Sequence, residues 1–234
     1  MTDAETGCSD LERWADGSWY LPTYAEEYFL ARHHRIEYVA FEQRIASLAW
    51  LHNKITSGVD TELAEMQEMR RSGTHRVPGW EVDSDHALRE SELVLDTDVR
   101  RIGSGVILSA AVAALESLMN QMLDQPTDYR LHKAGLTLKA RELASRWDAS
   151  IDRAEFDKHI AWLRTRRNSF AHRLIDDVDR PQPTHAPVWD FDDEAADEAL
   201  GRISAIASML EEGWEQRLRL QAQPISAPDN GTSA

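Results

Sequence analysis

A single cysteine, Cys8, occurs in 234 residues, so neither a disulfide framework nor a thiolate metal site can be built from this chain. Cys8 sits in a polar N-terminal stretch, and a reducing, cytoplasmic setting is expected. Long uncharged runs are missing too. The longest, Ile102 to Leu115, is 14 residues and stops at Glu116, short of the roughly 20 that a bilayer-spanning helix needs. Neither a membrane span nor a signal peptide is expected. Positive charge is scarce: 26 Lys and Arg stand against 41 Asp and Glu, a formal charge of −15. That balance argues against broad electrostatic affinity for nucleic acid. The chain has no glycine-rich phosphate loop and no serine in a nucleophile elbow. His33 and His34 are adjacent and diverge on a helix, and the other histidines lack the His-Glu spacing of zinc enzymes, so no metal and no cofactor is expected. Alternating β patterns and internal repeats are also absent, which leaves an all-α bundle.

The length suits one substantial core rather than two. Residues 1–20, with Trp14 and Trp19, read as a loosely ordered arm able to dock onto the body. Residues 21–83 read as an N-terminal helical extension. Its first helix follows Pro22 and stops at Ser57-Gly58, with Ile36, Val39, Ala40, Ile45, Leu48 and Leu51 as its apolar side. A shorter helix starts at Asp60 and ends near Met69, and Gly73 to Asp83 is an exposed connection. Residues 84–220 form the main helical bundle. A helix opened by Ser84 or Asp85 runs to Leu123 if Gly103 and Gly105 are tolerated, and these glycines mark either a kink or a close helix contact. Val106 to Leu123 is apolar nearly all round, as a central buried helix is. Leu136 to Trp147, Arg153 to Ile175 and Asp192 to Leu220 complete the set. In the last of these Leu200, Ile203, Ile206, Ala207, Leu210 and Trp214 point inward. Residues 221–234 read as a disordered tail.

The candidate site lies in Arg164-Thr-Arg-Arg-Asn-Ser-Phe-Ala-His172-Arg173, where polar groups interrupt a core-patterned helix. At about 100° per residue, Phe156, Ile160, Leu163, Phe170 and Leu174 share a core-facing stripe that also contains Arg167. Arg164, Asn168 and His172 follow at i, i+4 and i+8 as a polar line beside it. Arg167 and His172 are roughly 140° apart around the axis, a gap that a long guanidinium can fold across to flank one phosphate. Charge is gathered here as well: Lys158 to Ile175 holds five Lys and Arg and no acid, whereas Asp176 to Glu198 holds nine acids and Arg180 alone. This pattern reads either as a basic helix followed by a solvated acidic loop or as a loop that competes with RNA for the basic patch. Glu116, an acid in an apolar helix, needs a partner, and a Glu116–Arg167 ion pair would fix helix register or orient the arginine. Asn120, one turn on, is placed to hydrogen-bond the motif helix. Ser169 reads as a small packing residue.

Arg167-Asn168-x-x-x-His172 resembles the Arg-Asn-x-x-x-His signature of HEPN domains, all-helical modules that include metal-independent ribonuclease toxins, abortive-infection effectors and inactive relatives. Ala113 to Asn120 is similar to the HEPN helix that carries an acidic or amide residue toward the motif. The likeness spans roughly residues 100–213. It implies a HEPN-like bundle of antiparallel helices with a long N-terminal helical extension, in which an RNA 2′-hydroxyl attacks the adjacent phosphate. His172 would move the proton, a role suited to a histidine's ordinary pKa of about 6.5. Arg167 would stabilise phosphoryl charge, and Asn168 would hold the phosphate or orient His172. Arg164, Arg166 and Arg173 are the expected substrate-binding residues, with Glu116 and Asn120 in support. The resemblance further implies a homodimer through the motif helix, RNA as substrate, and an antitoxin or other protein partner in toxin–antitoxin or phage-defence biology. Family toxins silenced by a nucleotidyltransferase often carry a tyrosine two residues past the histidine. Leu174 stands there instead, which argues against that form of regulation. The alternative is a non-catalytic helical interaction module whose acidic surface binds a protein. A DNA-binding regulator is disfavoured, since no basic helix-turn-helix recognition helix is evident.

Overall fold

The computed structural model describes residues 28, 35–123, 126–147, 152–173 and 191–222, with the side chains of residues 172, 173 and 220–222 outside that description. Every regular element among the described residues is helical: α1 (Ile36–Ser72), α2 (Glu81–Val94), a π-helical turn (Leu95–Val99), α3 (Arg100–Gln121), α4 (Tyr129–His132), α5 (Leu136–Ser145), α6 (Arg153–Arg173) and α7 (Asp193–Ala222). The all-α expectation holds at that level. Helix α3 is the hub, packed against α1, α5, α6 and α7.

The sequence reading breaks α1 at Ser57-Gly58, but the helix runs through. A mid-helix glycine costs only about 1 kcal/mol relative to alanine, and tertiary contacts outweigh it. Val59 is buried, and Asp60 pairs with Arg100 of α3 instead of capping a new helix. The helix ends at Gly73, whose φ of 72° is the left-handed conformation that glycine adopts without strain. Helix α2 starts at Glu81, three residues ahead of Ser84. The Glu81 carboxylate accepts from the Gly79 amide at 2.9 Å, while Asp85 is occupied by Arg76 and His75. Asp152 caps α6 and Asp192 caps α7. The first accepts from the Ala154 and Glu155 amides at 3.0 Å and the second from Ala195 at 2.8 Å.

From Glu81 to Gln121 the chain is continuously helical through the π turn. The two glycines of α3 are points of close helix contact. A Cβ at Gly103 would lie 2.7 Å from Ile55, and one at Gly105 would lie 2.2 Å from the Phe170 ring, so α1 and α6 each approach the α3 backbone. This helical run contains a window long and apolar enough to cross a membrane by length and composition alone, a property the 14-residue uncharged stretch did not suggest. Half of that window is buried within the bundle.

One core unites Tyr38, Phe41 and Ile45 of α1 with Leu108, Leu115 and Met119 of α3, Leu143 of α5, Phe156 and Leu163 of α6, and Leu200, Ile203 and Leu210 of α7. Phe170 belongs to the buried stripe of α6 as expected, but Leu174 lies outside the described residues. The expected apolar side of α1 is largely a misreading. Of its six residues only Ile45 is buried, whereas Ile36 is 74% and Leu51 41% exposed. The face turned to the core is Tyr38, Phe41, Ile45, Ala49 and His52, because aromatic bulk decides which side of a doubly apolar helix packs.

Candidate functional site

Helix α6 sets the candidate residues on a face held in place by its apolar stripe. Phe156, Ile160, Leu163 and Phe170 are buried, and Phe170 lies edge-on to Phe191 with ring centroids 5.2 Å apart. With that stripe fixed, Arg164, Arg167 and Asn168 emerge into solvent. Neither Arg164 nor Asn168 makes a hydrogen bond or ion pair among the described residues. Arg166 is half-buried beside Trp162, its guanidinium 5.2 Å from the ring centroid, and Arg202 of α7 approaches the same ring at 4.7 Å. Arg166 is therefore partly committed to its own fold. The backbone of His172 and Arg173 continues α6, and their side chains lie outside the described residues.

Arg167 does not lie in the core stripe as the 100° spacing places it. Its side chain is 45% exposed and leans toward α3, where an amino nitrogen is 3.8 Å from Glu116 Oε1. Reach explains the difference: three methylenes carry the guanidinium out of the packed layer while the stem stays against it. Glu116 is 20% exposed, and the same Oε1 accepts from the Leu136 amide at 3.0 Å. It thus caps the first turn of α5 and meets Arg167 at once, tying three helices together. Asn120 Oδ1 is buried without a partner, and among the described residues no hydrogen bond joins Asn120 to α6.

A second polar constellation, unanticipated from sequence, lies where α1, α3 and α7 meet. His52 is buried, with Nε2 3.4 Å from Asp193 Oδ1 and Nδ1 3.5 Å from Asp197 Oδ1. Ser104 donates to Asp193 at 2.9 Å, Arg100 donates to the other Asp193 oxygen at 3.0 Å, and Tyr28 donates to Asp197 at 3.0 Å. Burial pulls the His52 pKa down, but hydrogen bonds and charge from Asp197 and Asp193 outweigh it and leave the imidazole above its ordinary value. The His52 hydrogen bond in turn holds Asp197 below the usual carboxylate range. Serine, histidine and aspartate thus gather with the residue types of a hydrolase relay, but Ser104 donates to Asp193 at 2.9 Å and lies 3.5 Å from His52 Nε2. Ser104 is also 1% exposed and bonds back to Arg100 O at 3.1 Å, so no substrate reaches it. The i, i+4 pairs Arg100/Ser104 and Asp193/Asp197 are visible in the sequence, but not that their helices face His52.

No group of three or more His, Cys, Asp or Glu among the described residues is arranged to hold a metal ion. No protein-family model, curated protein or solved structure matches the chain.

Proposed function

We propose that this chain is a HEPN-like, metal-independent endoribonuclease whose site is the α6 seam of Arg164, Arg167, Asn168 and His172. The observation that carries this reading is Arg167, a guanidinium steadied by Glu116 yet nearly half open to solvent. An arginine kept only for stability is more economically used when both partners are shielded, whereas one that receives a phosphate must be oriented and still reachable. Exposed Arg164 and Asn168, without partners among the described residues, supply adjoining donors to a phosphodiester backbone. In the reaction His172 takes the 2′-hydroxyl proton as that oxygen bonds to phosphorus. The P–O5′ bond breaks, the leaving oxygen acquires a proton, and a 2′,3′-cyclic phosphate and a 5′-hydroxyl remain. Arg167 offsets the charge that builds on the non-bridging oxygens. The chain's overall negative charge confines RNA affinity to this local patch.

Purified protein is expected to cleave single-stranded RNA in EDTA and leave cyclic-phosphate ends. His172→Ala is expected to slow this by about 10²- to 10⁴-fold with helical circular dichroism unchanged. Undiminished cleavage by that variant rejects the assignment. One observation favours the second reading, a non-catalytic interaction module: Glu116 is already employed as the cap of α5, a purely structural task. On that reading the wild-type protein shows no cleavage.

A further inference from the structure

The α1 residues expected in the core, Ile36, Ala40, Leu48 and Leu51, instead line one wall of an open groove whose other wall is Ala110 and Ala114 of α3, with a volume of about 680 Å³. Its lining is mainly small or apolar, with Ser47, Ser117 and Gln121 as uncharged polar groups, and its only charges are Glu37 and Arg44 of α1, seven residues apart. Seven residues are two turns, so both groups lie on one face, about 10 Å apart along the axis. That is too far for them to pair with each other. Glu37 has a loose contact with Arg35 at 3.7 Å, and Arg44 makes no ion pair among the described residues.

We infer that this groove is the interface for a second copy of the chain, with the two α1 helices crossing antiparallel about a two-fold axis near Ala40 and Phe41. Such an axis sets Glu37 of each copy against Arg44 of the other, so both rim charges are satisfied by the same surface used twice. It also brings each Ile36, 74% exposed in the single chain, level with the groove wall between Arg44 and Leu48 of the other copy. The alanines at positions 40, 110 and 114 leave room for close helix approach. Phe41 and Leu118 lie buried at its floor, an apolar base that suits a helix face better than a small polar ligand. The groove positions on α3 follow Gly105 by five and nine residues, roughly 140° to 180° round the helix. This interface therefore faces away from α6 and is separate from pairing through the motif helix. It does not depend on the ribonuclease reading.

The test is the molar mass of the full chain by light scattering from micromolar to tens of micromolar. Wild type is expected to reach the dimer mass. Arg44→Glu, which opposes two acids twice, is expected to weaken association at least tenfold, and Glu37→Arg combined with Arg44→Glu is expected to restore it with unchanged helicity. In a Cys8→Ser background, Ala40→Cys is expected to form a disulfide between copies. A wild-type monomer throughout the range or failure of the charge swap to rescue overturns the inference. So does an intramolecular disulfide between Cys8 and the thiol introduced by Ala40→Cys in a chain that retains Cys8, a result that would give the groove to the chain's own N-terminal segment.

Discussion

Two polar regions of this molecule put similar residue types to opposite use. Around the buried His52, five side chains from α1, α3 and α7, with Tyr28, are joined by hydrogen bonds and ion pairs. On α6, Arg164 and Asn168 bond to nothing among the described residues and Arg167 touches one carboxylate at 3.8 Å. The first region has the residue types of a hydrolytic relay and the second only a short motif. Yet it is the second that retains capacity for a ligand. Residue identity alone ranks them the other way, and accessibility with unfilled hydrogen-bonding capacity reverses the order.

The comparison is most severely strained at the contact that positions α6. Gly105→Ala would place a methyl 2.2 Å from the Phe170 ring, and the helix must shift or the ring must turn out. A loss of about 1–3 kcal/mol is expected, read as a lower urea midpoint, while Gly58→Ala, with nothing within 4 Å, should raise it. An unchanged midpoint for Gly105→Ala would mean that α6 is held by other contacts.

The His52 region should announce itself through pH. A histidine with a raised pKa stabilises the fold fully below its unfolded value of about 6.5, and that stability is lost as pH rises through the folded value. A lowered aspartate contributes above about pH 4 and loses its contribution as pH falls through its own folded value. With His52 raised and Asp197 lowered, this cluster should contribute most between about pH 4 and 6.5. The urea midpoint should then fall from about pH 5.5 to about pH 8.5, on either side of that loss, and His52→Gln should reduce the slope. A slope identical in the variant would detach the cluster from stability.

What is legible in the chain follows the same division. Local signals read well: Phe156, Ile160, Leu163 and Phe170 share the expected buried stripe of α6. Contacts made across the bundle mostly do not, the Glu116–Arg167 pair between α3 and α6 being the exception. Ser57-Gly58 reads as a stop because the ties of Val59 and Asp60 to the rest of the fold are not encoded nearby. The α1 face is misassigned because that helix has two apolar sides, and periodicity does not say which meets the core. The His52 cluster joins residues 141 positions apart, a separation at which spacing carries no information.

A smaller effect separates the two duties of Glu116. Glu116→Gln keeps an oxygen for the Leu136 amide and removes the charge opposite Arg167. Since Arg167 is nearly half exposed, stability should change by less than about 1 kcal/mol. If Arg167 orientation matters to RNA, cleavage should fall more than stability does. A midpoint change with full retention of cleavage would make this carboxylate a cap and nothing more.

The most direct measurement is the rate of RNA cleavage in EDTA for Arg167→Ala and His52→Gln side by side, at a temperature where both variants are folded. The account predicts a loss of about 10²- to 10³-fold for the first and a rate near wild type for the second. A wild-type rate in Arg167→Ala, or loss of cleavage through His52→Gln alone, would contradict it.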